Sequence, residues 1–264
     1  MTAVIVRSAI APLYREPTLR AEQMSQLVLG ETGRLEESRG EWRRITGDYD
    51  GYGGWVHAGY LLEVGDDAAV RWREEARGWS LGAVLRIGAQ QVPLPLRARV
   101  AIENGAVRLP DGRRGRITDG AIPAAGDTAA AARATAPERW ALEHFAGAPY
   151  EWGGVTPWGV DCSGLVQTTF AARGLVLPRD SAHQVERGTP VSPDAIRPGD
   201  LLFFRGEEGR ITHVAFAGEG DTLIHSTVSC GGVLVEPWLP GTRAAPLRER
   251  LDAVRRVESR ESRV

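Results

Sequence analysis

The chain has 264 residues, 42% hydrophobic and 25% charged, with a formal net charge of −2. So balanced a charge leaves no electrostatic footprint for nucleic acid or an anionic membrane surface. Two cysteines exclude a disulfide framework, though a single Cys162–Cys230 bridge stays open.

The first residues, Met1–Arg7, lack the basic-then-apolar layout of a signal peptide. No apolar run approaches the ~18 residues of a membrane span. The compartment expected is the cytoplasm, or the outside if an upstream leader has been removed. All 32 basic residues are arginine, a bias that needs no functional cause.

The elements begin with short strands. "MSQLVL" (24–29) turns at Gly30; "TGRLEE" and "EWRRITG" flank a turn at Arg39-Gly40; "DGYGGWVHAGYLLE" is a Gly-rich turn leading into a strand. Such spacing predicts a small β-barrel over residues 1–65. Asp66-Asp67-Ala68-Ala69 reads as a junction. A second β module over 66–124 carries the hairpin signals Asn104-Gly105 and Asp111-Gly112. A small-residue linker, partly helical, then opens a third domain over 125–264.

In that domain "PERWALEHF" (137–145) has helical spacing, with Thr135 and Glu138 at capping-box distance. "CSGLVQTTFAARG" (162–174) reads as a helix closed by Gly174, and "DSAHQVERG" (180–188) as a shorter one. Strands follow at 200–204, 213–218, 222–227, 232–237 and 251–258, and a polar tail over 259–264. Helices followed by a run of strands make an α+β pattern.

Chemistry concentrates at Cys162. With Asp161 as N-cap, the thiol stands at a helix N-terminus, where unpaired N–H groups favour a thiolate and can hold an oxyanion. Ser163 and Gly164 keep the first turn open. A thiol nucleophile needs a base, and the base an orienting partner. Of five histidines, His213 and His225 lie on consecutive strands that can bring them together. The competing readings are a packed cysteine and satisfied strand histidines, or a zinc site of Cys162, His213, His225 and Cys230, whose spacings match no compact ligand pair. No cofactor and no metal are expected.

Several motifs stand in order: Tyr150 with Trp152-Gly153-Gly154, Asp161-Cys162-Ser163-Gly164, Arg179-Asp180-Ser181, Pro198-Gly199-Asp200, His213-Val214 and His225-Ser226. Together they resemble the NlpC/P60 cysteine peptidases over about half the chain. The resemblance implies a papain-like α+β domain with Cys162 as nucleophile, His213 as base, His225 as third member, and Tyr150 and Ser163 at the oxyanion site.

The N-terminal half is similar to bacterial SH3-like domains, two of them. Two such barrels before an NlpC/P60 domain resemble the γ-D-glutamyl-L-diamino-acid endopeptidases of murein recycling. That implies a monomer acting on L-Ala-γ-D-Glu-diamino acid peptides, its first barrel walling off the cleft. Asp161, Asp180 and Ser181, with Tyr52 and Glu22 from the first barrel, are the substrate-binding candidates. In one departure from the commoner family spelling, Gln184 comes one place late after Asp180-Ser181, and His183 is left as a surface or cleft-wall residue. The other readings are a secreted hydrolase of intact peptidoglycan, or an inactive module that binds cell-wall peptide.

Overall fold

The computed structural model describes residues 2–258, so the tail expected over 259–264 lies outside the described residues. The chain divides into two compact units between Thr128 and Ala129.

In the first unit, β1 (Thr2–Val6), β2 (Ile10–Tyr14), β3 (Gln23–Val28), β4 (Thr32–Arg39), β5 (Trp42–Gly47), β6 (Gly53–His57) and β7 (Leu61–Gly65) form one antiparallel sheet. Its order is β3-β2-β6-β5-β4-β1-β7. Alternate residues such as Val4 and Val6, or Ala11 and Leu13, point to one face and build its core with Leu27, Ile45 and Val56.

The junction expected at Asp66–Ala69 is instead the first turn of a helix, α1 (Asp66–Glu75). Asp66 and Asp67 sit at its positive end. Trp72 and Ala76, one helical turn apart, pack with Ile5 and Ala101. The Trp72 indole N–H donates to the Gly30 carbonyl at 2.8 Å.

A second antiparallel sheet follows: β8 (Gly78–Leu81), β9 (Val84–Ile87), β10 (Gln90–Pro93), β11 (Leu96–Glu103), β12 (Ala106–Arg108) and β13 (Arg114–Asp119), ordered β10-β9-β13-β12-β11-β8. Asn104 and Gly105 both take positive φ, 50° and 77°, as a tight hairpin turn of this hand requires. A buried ion pair joins the two sheets. Arg97 Nε donates to Glu31 Oε1 at 2.6 Å, and Glu31 Oε2 accepts the Val28 N–H.

The unit boundary falls within α2 (Ala125–Ala134). The second unit continues with α3 (Pro137–Phe145), the hairpin β14 (Val155–Thr156) and β15 (Gly159–Val160), α4 (Cys162–Ala172) and α5 (Ser181–Gln184). Then come β16 (Thr189–Pro190), β17 (Leu201–Arg205), β18 (Ile211–Ala217), β19 (Thr222–Thr227), β20 (Gly232–Pro237), α6 (Leu247–Arg250) and β21 (Leu251–Arg256). The sheet is antiparallel in order β16-β21-β17-β18-β19-β20.

Every residue of α4 is buried, as an apolar helix demands, and Phe170 packs on Phe216 of β18 with ring centres 6.1 Å apart. Its polar side chains find partners: Thr168 donates to the Val155 carbonyl and Gln167 to that of Leu177.

The capping box expected at Thr135 and Glu138 does not form. Ala136 is the N-cap of α3, without a side-chain bond, and Pro137 begins the helix. The Thr135 N–H still turns back to Ala132 at the end of α2, and Glu138 is buried, which pushes its carboxyl upward.

Candidate active site

Asp161 caps α4 as the sequence predicts. Its Oδ1 accepts the Gly164 N–H at 2.7 Å and the Ser163 hydroxyl at 3.2 Å; its Oδ2 accepts the Gly153 N–H at 2.8 Å. Arg179 closes the cluster with a two-pronged ion pair, 3.0 Å to Oδ1 and 2.6 Å to Oδ2, and also donates to Ser163 Oγ at 2.8 Å. A buried carboxylate is stable only when paired and hydrogen-bonded like this. Five donors from the protein itself thus stand on the two oxygens of Asp161, which is expected to bind substrate.

Gly164 has a packing reason. A Cβ there would stand 2.1 Å from the Gly154 carbonyl oxygen, so the β14–β15 hairpin presses directly on the first turn of α4.

Cys162 is the first residue of α4 and is 9% exposed. The backbone N–H groups of Val214 and Ser163 are directed at it and favour the thiolate. Burial opposes them and, with Asp161 second, pushes the thiol up to about 12. The helix terminus thus does not by itself lower this thiol's pKa, because desolvation is the larger effect.

The histidines meet as expected. Phe216 faces Ile224 across β18 and β19, which puts His213 and His225 on one face, a diagonal step apart. His213 Nε2 lies 2.8 Å from His225 Nδ1. The diagonal continues onto β20: His225 faces Leu234, and Glu236 stands two residues on, with Oε1 2.7 Å from His225 Nε2. Arg243 donates to the same Glu236 oxygen. Burial brings His213 down to about 3, helped by His225 and opposed by Asp161; it brings His225 down to about 4, helped by Arg243. Two contacts join the histidine strands to the nucleophile. The Val214 N–H, next to His213, is directed at the thiol. The Ser226 hydroxyl, next to His225, donates to the Val160 carbonyl at 2.6 Å.

Tyr150 is held by its N–H to the Gly231 carbonyl at 2.8 Å and by pairing with Val160. Burial and the neighbouring Cys162 raise its phenol well above the usual range, so it remains a donor. Ser163 is buried and spends its hydroxyl on Asp161 and Arg179, leaving its backbone N–H as the group turned to the thiol. Asp180 caps α5 with its side chain 43% exposed, and Ser181 begins that helix, buried. Tyr52 lies in the turn between β5 and β6, and Glu22 pairs with Arg15 at 2.7 Å, both in the first unit.

The sequence names Arg179 and Gln184 without a role for either, and gives no role to Glu236 or Arg243. Arg179 was in view only as part of a motif. Gln184 donates to the carbonyls of Ser163 and Pro178, tying α5 to the nucleophile turn. Glu236 had one faint signal, a lone acid in an apolar strand, and Arg243 had none. The other histidines have separate places. His57 accepts the Gly59 N–H, His144 packs at a tilt against Trp140 with ring centres 4.2 Å apart, and His183 is exposed. Cys230 is exposed and both cysteines are free thiols. Among the described residues no group of three or more His, Cys, Asp or Glu is placed to hold a metal ion.

Residues 147–242 match the NlpC/P60 family, and residues 13–61 match the bacterial dipeptidyl-peptidase SH3 domain. The γ-D-glutamyl-L-lysine dipeptidyl-peptidase of Bacillus subtilis (strain 168) is 44% identical over 84 residues, 31% of this chain and 28% of that protein. The murein DD-endopeptidase MepS/murein LD-carboxypeptidase of Escherichia coli (strain K12) is 39% identical over 119 residues, 43% of this chain and 58% of that protein. The chain thus covers less than two thirds of either relative. The crystal structure of an NlpC/P60 family protein from Bacillus cereus has the same fold, with a TM-score of 0.75 at 21% identity over 96% of this chain and 99% of that one. The buried thiol on α4 and the histidines of the facing sheet therefore belong to an NlpC/P60 domain, of the cysteine-peptidase type, which this chain carries behind a bacterial SH3 domain.

Proposed function

We propose that this protein is a cysteine endopeptidase that cuts the bond between γ-D-glutamate and a diamino acid in short murein peptides with a free N-terminal L-alanine. The observation that carries this reading is the buried Cys162 at a helix N-terminus, with the His213–His225 pair on strands tied to it. The named activity of the Bacillus subtilis relative supports the choice of bond.

Separately, neither thiol nor imidazole ionises near neutral pH. Together they can: His213 takes the thiol proton, and each new charge stabilises the other. The sulfur attacks the γ-glutamyl carbonyl carbon. The oxyanion is held by N–H groups at the start of α4 and the Tyr150 phenol. Collapse breaks the C–N bond, and His213 returns the proton to the departing amine. Water, deprotonated by His213, then hydrolyses the thioester and restores the thiol.

Asp180, with Ser181, is the group to which we assign the substrate's free amine: a partly exposed carboxylate at the end of the chain segment fixed by Arg179. The second sheet of the first unit is in this reading a diverged SH3-like module. Recycled peptides of this kind are cytoplasmic, and cell fractionation checks that compartment. No helix among the described residues is long and apolar enough to cross a membrane.

The likeness to MepS favours one second reading, hydrolysis of intact cell wall. Incubation with purified sacculi and with L-Ala-γ-D-Glu-diamino acid separates them. The proposal expects dipeptide from the free peptide, most of that lost on N-acetylation, and little soluble material from sacculi. Release from sacculi at the rate of the free peptide would favour the second reading.

A further inference from the structure

We propose that Glu236 is a positioning residue that sets the tautomers of both histidines, and that Arg243, on the same carboxylate oxygen, disfavours positive charge along the row. The premise is geometric. Three groups stand in a row across β18, β19 and β20: His213 Nε2 to His225 Nδ1 at 2.8 Å, and His225 Nε2 to Glu236 Oε1 at 2.7 Å. Only one proton can lie between two ring nitrogens in contact, and a carboxylate only accepts.

The order of protons then follows from the far end. If His225 carried its proton on Nδ1, its bare Nε2 would face the Glu236 oxygen, lone pair against lone pair, in a buried site. The arrangement that satisfies both contacts has His225 protonated on Nε2 and donating to Glu236. Its Nδ1 is then an acceptor, so His213 must donate from Nε2. A neutral His213 is left with its lone pair on Nδ1, the nitrogen free to receive the Cys162 proton.

Arg243 closes the far end of the row. Its guanidinium donates to the same Glu236 oxygen and opposes a positive charge on His225. The charged and titratable groups around the row are Asp161, Cys162 and Tyr150 near His213, and Glu236 and Arg243 beyond His225. Both histidines stay neutral at rest, lowered by burial, with His225 lowered further by Arg243. Glu236 therefore acts through orientation: no proton reaches it during turnover. Serine-protease triads give the scale, since a wrong tautomer there costs about 10⁴-fold in kcat.

The test is ¹⁵N NMR of the histidine rings in the whole protein, without substrate, beside steady-state kinetics. Wild type should show Nε2–H and bare Nδ1 on both His213 and His225. Glu236→Leu should show mixed tautomers on both rings, with kcat about 10²- to 10⁴-fold lower and KM nearly unchanged. Glu236→Gln retains an acceptor oxygen, so it should keep the wild-type tautomers and lose less than about tenfold in kcat. Arg243 is partly exposed, and Arg243→Gln covers the case that Glu236→Leu does not fold. It should leave the tautomers alone and move the acid limb of kcat/KM to higher pH. Unchanged tautomers in Glu236→Leu, a wild-type His213 protonated on Nδ1, or an unmoved acid limb in Arg243→Gln would each overturn the proposal. The kinetic arms rest on the peptidase reading, and the NMR arm does not. Wild type that shows both Nε2–H tautomers yet cuts no peptide would sink that reading and leave this one standing.

Discussion

At the helix end of the site every charge is closed in: the Arg179 side chain is 1% exposed and its partner Asp161 9%. On the sheet side the row from His213 through His225 and Glu236 ends on Arg243, whose side chain is 42% exposed. The first arrangement is a rigid frame, with two buried charges fixing the turn that presents the thiol. The second is a line of protons whose last member faces water, so pH and salt can act on it. Nucleophile and base are thus held by different physics, and variants on the two sides should fail in different ways.

The largest effect expected is chemical. Cys162→Ala should lower peptide cleavage by about three orders of magnitude or more while leaving the fold intact, since the side chain removed is small. Next comes the helix-side frame. Arg179→Met leaves Asp161 buried without its cation and should destabilise the second unit by about 3–5 kcal/mol, read by denaturant unfolding. Arg243→Gln, by contrast, removes a partly exposed ion pair and should cost no more than about 1 kcal/mol. Equal losses from the two would erase the distinction between frame and proton line.

Acidity sharpens the comparison further. Folded His213 and His225 titrate at about 3 and about 4, against 6.5 for the ordinary imidazole. As pH falls below 6.5, the unfolded chain binds protons that the folded one refuses, so the stability tied to these two rings drops until about pH 3, where folded His213 takes its own proton. Unfolding free energies at pH 7 and pH 5 check this; equal values would contradict it. At the alkaline end, folded Cys162 at about 12 lies above the ordinary 9.0, so stability falls as pH rises past 9. Cys162→Ala should remove that alkaline loss. The smallest effect is at Thr135, where →Ala should change stability by less than about 0.5 kcal/mol, because Thr135 does not cap α3.

The helix end was legible because its logic is local. Asp161 and Cys162 are neighbours in sequence, and cap and thiol can be read in one line; the crowding at Gly164, expected to leave the first turn open, comes from the Gly154 carbonyl and could not. The Asn104-Gly105 turn and five of the six strands in the second unit's sheet were visible for the same reason. Glu236 was not, because its link to His225 depends on the register of β19 against β20, and register is a tertiary outcome. The pairing of Arg179 with Asp161, 18 residues apart, needed the path of the chain beyond α4. Helix α1 was read as a junction because its buried face is only Ala69 and Trp72 within ten residues. The effect of burial on the thiol is not legible locally: dipole and donors are local, whereas burial is supplied by the whole domain.

The central claim is that Cys162 breaks the γ-glutamyl bond. Mass spectrometry of the products from L-Ala-γ-D-Glu-diamino acid, incubated with wild type and with Cys162→Ala, tests it most directly. The account predicts L-Ala-D-Glu and free diamino acid from wild type and intact tripeptide from the variant; equal turnover by the two would contradict it.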